Sequence, residues 1–424
     1  MKNNYMLGRR LDWFDDIPEP WKVFRLKDVV KINNGKDYKD IEVEEDGYPV
    51  IGSGGEFARA SNFMCNEESV LFGRKGTVDR PLFLKEPFWT VDTMFYSTKK
   101  KKINMKYLYY CSLCFNYDYY MTSTALPSMT QGDLGNILIP FPDKSEQNKI
   151  VEELDSEVEK IDTLILKTEK QIEILEKYKK SLITEIATKG LDERIQYKNT
   201  LVNWIKKVPV HWDVKKLKYI LSDDEVNMRV GPFGSALSGN DFKGEGRWVY
   251  NQRTVLDDNF KSNDTFINED KWRELKSFKV EAKDILLTTR GTIGKVAIVP
   301  EDFEFGIIHP CLIKFRINNE MISNKILKYI FNETDIVRDQ LNYLSNSTTI
   351  DVIYSYNLKN IYLPVIPKEE QPLIEVYLDK NYKVIRNLIE GKKNQIDKLI
   401  KYKNSAIYEY VSGKRRVGGF NNGD

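Results

Sequence analysis

Asn136-Ile137-Leu138-Ile139-Pro140-Phe141-Pro142, with Glu146-Gln147 just beyond, returns as Asn360-Ile361-Tyr362-Leu363-Pro364-Val365-Ile366-Pro367, with Glu370-Gln371 just beyond. The second passage stands 224 residues after the first, from Gln147 to Gln371, and the offset holds without a gap through Lys177-Tyr178-Lys179-Lys180-Ser181 and Lys401-Tyr402-Lys403-Asn404-Ser405. A stretch repeated at constant length is an element that has tolerated no insertion, and its periodicity says which one. Leu154, Val158, Ile161, Ile165, Ile172 and Leu175 fall three or four residues apart, or at the sum of those steps, and Leu378, Tyr382, Ile385, Ile389, Ile396 and Leu399 repeat them. Such spacing is the apolar stripe of an amphipathic helix. Both stripes are interrupted at the same depth, by Thr168 and by Lys392.

A helix of about 40 residues rises roughly 60 Å and cannot bury such a stripe alone. Two equal helices in one chain, each trailing an equivalent domain, satisfy each other as an antiparallel coiled coil with pseudo-twofold symmetry and a domain at each end of the rod. The prolines before Glu146 and Glu370 stop helix propagation upstream, while Gln371-Pro372 puts a proline in the tolerated first turn.

Working outward, the preceding segments also repeat, less regularly. Ile17-Pro18-Glu19-Pro20-Trp21-Lys22-Val23 recurs as Val208-Pro209-Val210-His211-Trp212-Asp213-Val214, and Val70-Leu71-Phe72 leading to Lys75-Gly76-Thr77 recurs as Ile285-Leu286-Leu287 leading to Arg290-Gly291-Thr292. The offsets are 191 at the tryptophans and 215 at the glycines, so the second copy carries extra residues inside its domain. Short Val/Ile/Phe/Tyr runs at Tyr48–Ile51, Ser69–Phe72, Phe95–Ser97, Trp248–Asn251 and Ile285–Thr288, separated by Gly, Asn and Asp, predict strands; Met105–Phe115 and Asn324–Phe331 predict short helices. The class is α+β, with a first β-rich domain at 1–142, a helix at 143–190, a second domain at 191–367, a helix at 368–416 and a tail at 417–424.

The 424 residues are too many for one ordinary core, and 65 Lys+Arg against 63 Asp+Glu leave a net charge of +2 that decides nothing about a polyanionic partner. No stretch approaches the roughly 18 uninterrupted apolar residues of a membrane span, which predicts a cytoplasmic protein. Cys111-Ser-Leu-Cys114 lacks a second ligand pair for zinc, because Cys65, Cys311, His211 and His309 are scattered singly, so no metal is expected.

Pro-Phe-Pro followed by Glu-Gln and a long helix, twice in one chain and each time after a β-rich segment, resembles the specificity subunits of Type I restriction-modification systems. The resemblance covers nearly the whole chain. It is carried by the paired order of these motifs, with Gly47-Tyr48-Pro49-Val50-Ile51-Gly52-Ser53-Gly54-Gly55 and Gly231-Pro232-Phe233-Gly234-Ser235, and departs from exact repetition at Thr288-Thr289 in place of Gly73-Arg74. It implies two target-recognition domains that each read half of a split, asymmetric site in double-stranded DNA, with helix length setting the unread spacer. It also implies two methyltransferase subunits and restriction-translocase subunits as partners. The chain itself would hold no cofactor, S-adenosylmethionine belonging to the methyltransferase.

Candidate DNA-binding residues follow the repeats. Arg74, Lys75, Gly76 and Thr77, and Arg290, Gly291, Thr292 and Lys295, put cations, a bare backbone and a hydroxyl at the end of an apolar strand, suited to phosphate and base edges. The plainer reading is a strand-end turn needing positive φ at glycine. Ser53 and Gly54 admit close backbone approach or form a flexible connection; Ser123 and Thr124, Ser347 and Thr348, and Ser235 supply hydroxyls for phosphates or for turn amides. Trp21 and Trp212 read as core anchors.

A catalytic nuclease or methyltransferase fragment would need motifs that are missing: there is no Asn/Asp-Pro-Pro-aromatic signature, and Gly291-Thr292-Ile293-Gly294-Lys295 lacks the leading glycine of a P-loop. The chain is therefore expected not to be an enzyme. The remaining alternative is a coiled-coil scaffold that joins proteins without reading DNA.

Overall fold

The structure is a computed structural model and describes residues 13–15, 17–122, 127–192, 194–233, 236–345 and 352–418. The chain divides into two compact units, one formed by Met1–Glu169 with Lys393–Asp424 and the other by Lys170–Lys392. The two long helices span Lys144–Lys189 and Gln371–Val411, so each begins in one unit and ends in the other. Compactness thus divides the chain differently from the linear order of domain and helix. Each helix half is covered by the other helix and by core residues of its unit, partners that are distant in sequence.

In the first unit, Val30–Asn34, Met94–Lys99, Ser69–Gly73 and Leu82–Leu84 lie side by side as an antiparallel sheet. Every residue of Ser69–Gly73 is buried, as an uninterrupted apolar run in a central strand should be. A second sheet runs in the order Glu42–Val43, Gly55–Ala60, Tyr48–Gly52, Trp89–Thr90, and its last pair is parallel, Val50 opposite Trp89. The entry strand Lys22–Arg25 pairs with the exit strand Leu138–Phe141, Lys22 opposite Phe141. Met105–Ser112 is a helix whose N-terminus is capped by the Asn104 side chain, which accepts from the amides of Lys106 and Tyr107.

The second unit repeats this plan. Met228–Val230, Leu312–Phe315, Ile285–Thr288 and Val296–Ile298 form the antiparallel sheet, and Phe266–Ile267, Arg247–Tyr250 and Gly306–Ile308 form the second, with Trp248–Tyr250 parallel to Gly306–Ile308. Asp213–Lys216 pairs with Tyr362–Val365, Asp213 opposite Val365, which is the entry-to-exit clasp of the first unit moved along the chain. Asn324–Glu333 is the matching helix, capped by Ser323.

Each unit's core includes both long helices. Ile150 and Leu154 of the first helix and Ile407, Tyr410 and Val411 of the second join Leu26, Val70, Phe72 and Phe95 in one cluster. Asp162 meets Lys403 at 2.7 Å and Glu146 meets Arg416 at 2.9 Å, so the helices run antiparallel there. In the second unit Ile183, Ile186 and Ala187 join Ile374 and Leu378, again antiparallel. Of the twelve seam residues, Leu154, Ile161, Leu378, Ile385 and Ile389 are buried and the other seven half-buried. Thr168 is buried in its stripe because its hydroxyl donates to the Leu164 carbonyl one turn back, 2.7 Å away.

Each β-rich segment is tied to the helices by the same two devices. Trp21 donates through Nε1 to Glu146 Oε2 at 2.9 Å, and Trp212 to Glu370 Oε1 at 3.2 Å. Gly413 and Gly190 pack against these rings, where a methyl would fall 3.2 Å from each. Asp155 accepts from Lys106 Nζ at 2.7 Å and from the Tyr110 hydroxyl at 2.5 Å; 224 residues on, Asp379 accepts from Lys325 and, at 2.8 Å, from Tyr329. Burial and the neighbouring carboxylate push both phenols up, so they remain donors.

Candidate nucleic-acid interface

The buried strand Ser69–Gly73 ends in an exposed loop whose main chain is fixed from two sides. The amides of Arg74 and Lys75 donate to the Thr93 carbonyl at 2.8 and 3.2 Å, and the Met129 amide donates to the Arg74 carbonyl at 3.0 Å. In the second unit the Thr289 amide donates to the Cys311 carbonyl at 2.9 Å and the Ile353 amide to the Thr289 carbonyl at 3.0 Å. The replacement of Gly73-Arg74 by Thr288-Thr289 therefore leaves the loop's two main-chain bonds in place. Gly76 and Gly291 have φ of +82° and +64°, which explains glycine at both tips.

Lys75, Arg290, Gly291 and Thr292 are exposed, and Arg74, Gly76 and Thr77 half-buried. The Arg74 guanidinium donates to the Asp92 carbonyl at 3.2 Å and lies 5.8 Å from the centre of the Phe95 ring. Lys295 is half-buried. Its Nζ donates to the Asn332 carbonyl at 2.5 Å inside a cavity of about 630 Å³ lined by Lys179, Lys180, Glu333 and Arg338, and burial pushes its pKa down. Thr292 of the same loop lines this cavity too.

Ser53 is brought to this loop, since a methyl on Gly76 would fall 3.8 Å from Ser53 Oγ; Gly54 is exposed beside it. Ser123, Thr124, Ser235, Ser347 and Thr348 lie outside the described residues.

Gly35, Gly231 and Gln252 were not among the residues that the sequence put forward for the site. Gly35 crosses Val91 so closely that a methyl would sit 1.9 Å from the Val91 carbonyl oxygen, and Gly231 crosses His309 in the same way at 2.2 Å. Only the second lies in one of the glycine-rich motifs. Gln252 occupies in the second unit the place of Ser53: it is the second residue beyond Tyr250, which ends the parallel-paired strand, and its amide lies over Gly291, where a methyl would meet Nε2 at 3.2 Å. The faint signal was the correspondence of Tyr48-Pro49-Val50-Ile51-Gly52-Ser53 with Arg247-Trp248-Val249-Tyr250-Asn251-Gln252.

The pattern that defines the Type I restriction modification DNA specificity domain matches residues 18–176 and again 228–398. The chain belongs to this family. Among relatives of the specificity-domain chain are the Type I restriction enzyme MjaVIII specificity subunit of Methanocaldococcus jannaschii, 27% identical over 96% of this chain and 95% of the relative, and the EcoBI specificity subunit of Escherichia coli, 22% identical over 86% and 80%. A solved structure described as showing complex assembly and conformational transition of the type I R-M system shares the fold, with a TM-score of 0.69 at 15% identity over 95% of this chain and all of the other. The cysteines of this specificity-domain chain are free thiols; burial pushes Cys114 up to about 12 and Cys111 up as well. Among the described residues no helix is long and apolar enough to cross a membrane.

Proposed function

We propose that this chain is the DNA-reading subunit of a Type I restriction-modification complex, each unit contacting one half of a split duplex target. The observation that carries this reading is the duplicated loop: an exposed cation beside glycine and a hydroxyl, held by the same two main-chain hydrogen bonds in both units. Lys75, Gly76, Thr77, Ser53 and Gly54 serve one half-site, with Arg74 behind them; Arg290, Gly291 and Thr292 serve the other. Rigid backbone under an exposed cation presents charge to phosphate without the entropy of ordering a loose segment. The chain is non-catalytic in this reading. Two methyltransferase subunits carrying S-adenosylmethionine supply the methyl transfer, and restriction-translocase subunits the cleavage.

The complex of this chain with its methyltransferase subunit is expected to methylate one bipartite, asymmetric motif, which sequencing of methylated bases in cells carrying both would show. Methylation without a motif, or at a single continuous half-site, would sink the reading in favour of a scaffold that does not read DNA. The loop cations make a second expectation. Lys75→Ala and Arg290→Ala should each weaken binding of the assembled complex across all sequences and flatten the dependence of log K on log salt by about 0.9 for each phosphate left without its cation. Fluorescence anisotropy over a salt series measures this, and an unchanged slope in both variants contradicts phosphate binding at these loops.

A further inference from the structure

Resting on the DNA-reading function proposed above, we propose that Gln252 is a specificity-determining residue of the second unit, reading an adenine edge in the major groove. The two units place different side chains at one structural position. In each, the second sheet contains one parallel pair, and the chain leaving its inner strand passes directly over the glycine of the cation-glycine-threonine loop. Ser53 stands over Gly76 in the first unit and Gln252 over Gly291 in the second. The loop-tip cation can hold phosphate in any sequence, and a neutral hydrogen-bonding group beside it adds discrimination between bases. The carboxamide of Gln252 offers one donor and one acceptor side by side, which matches N7 and the N6 amino group of adenine.

The side chain is positioned for this role and only lightly engaged. Its Nε2 reaches the Thr292 carbonyl at 3.5 Å, the long limit of a hydrogen bond, so a base edge can displace that interaction at small cost. The adjoining backbone is firmly set: the Asn251 side chain accepts from the amides of Arg253 and Thr254 at 2.9 and 3.3 Å. A methyl on Gly291 would come 3.2 Å from Gln252 Nε2, a tight contact from which the amide would have to shift by a few tenths of an ångström. Arg253, beside it, is exposed and has its guanidinium within 3.6 Å of Asp264 and 3.5 Å of Asp257, a solvent-facing ion cluster.

Two substitutions in the full-length chain, assembled with its methyltransferase subunit, test the assignment by methylated-motif sequencing. Gln252→Ala should relax a single adenine position in one half of the motif, lowering discrimination there by about 5- to 150-fold, with the other half unchanged. Gln252→Glu keeps the side chain's size but only accepts hydrogen bonds, so preference at that position should move from adenine toward cytosine, whose amino group donates. A purely structural glutamine would not redirect base preference. Motifs identical to wild type in both variants, or discrimination abolished in both halves together, overturn the proposal. A wild-type complex without any bipartite motif would count against the DNA-reading function itself, whatever Gln252 does.

Discussion

Asp284→Ala is expected to destabilise the second unit by about 3–5 kcal/mol, the cost of breaking a buried ion pair from one side. Asp284 immediately precedes the strand Ile285–Thr288 that delivers the Arg290 loop, and it is 1% exposed. Its carboxylate accepts from Arg316 Nε at 2.5 Å, Lys314 Nζ at 3.2 Å and the Glu281 amide at 2.9 Å. Lys314 lies on the neighbouring strand and is itself buried, so without Asp284 its ammonium would remain desolvated and unpaired. Asp284→Asn keeps the shape and an acceptor for the Glu281 amide, and should cost less than the alanine variant. Urea denaturation followed by tryptophan fluorescence compares the two. An alanine penalty below about 1 kcal/mol, the range of exposed pairs, would mean that water reaches this cluster and the strand is not anchored there.

The second large effect is expected at Trp212. Trp212→Ala should cost about 3–5 kcal/mol, typical of emptying a buried aromatic site. The ring is fully buried, lies between the segment entering the second unit and Gly190 at the end of the first long helix, and is bonded to Glu370 at the start of the second. Trp212→Phe retains most of the packing and loses the indole donor, so about 1–2 kcal/mol is expected from the unmade bond to Glu370. That glutamate keeps a partner in His211, whose Nε2 lies 2.5 Å from Oε1. Thermal and urea unfolding of both variants checks the ordering, and equal penalties for Phe and Ala would show that the bond, not the ring, holds the helix ends to this unit.

The helices were readable in advance because their information is local. Leu154, Val158, Ile161 and their counterparts recur at helical spacing, and a stripe of that length has one efficient way to be covered. The clasp between Lys22–Arg25 and Leu138–Phe141 was not readable, although both strands were present in the repeats, since pairing across the whole domain leaves no periodic trace. The parallel pairs were equally silent. Val50 opposite Trp89 and Val249 opposite Ile307 join short apolar runs that resemble every other strand in the chain. At the site, the spacing of Lys295 from Gly291 suits a loop cation, while its hydrogen bond to the Asn332 carbonyl, 37 residues away, leaves no trace in the sequence.

By itself the sequence determined that the chain is a duplicated domain-plus-helix plan, that its helices need each other, and that a cation, a glycine and a threonine follow the central strand of each copy. Those features survive as spacing, offset and residue type, which are properties of neighbours along the chain. Tertiary structure alone decided that each compact unit takes half of both helices, that Gln252 stands over Gly291 where Ser53 stands over Gly76, and that Lys295 bonds to the Asn332 carbonyl. These depend on residues tens to hundreds of positions apart meeting in space, and such meetings are chosen by packing and hydrogen-bond satisfaction that no local pattern records.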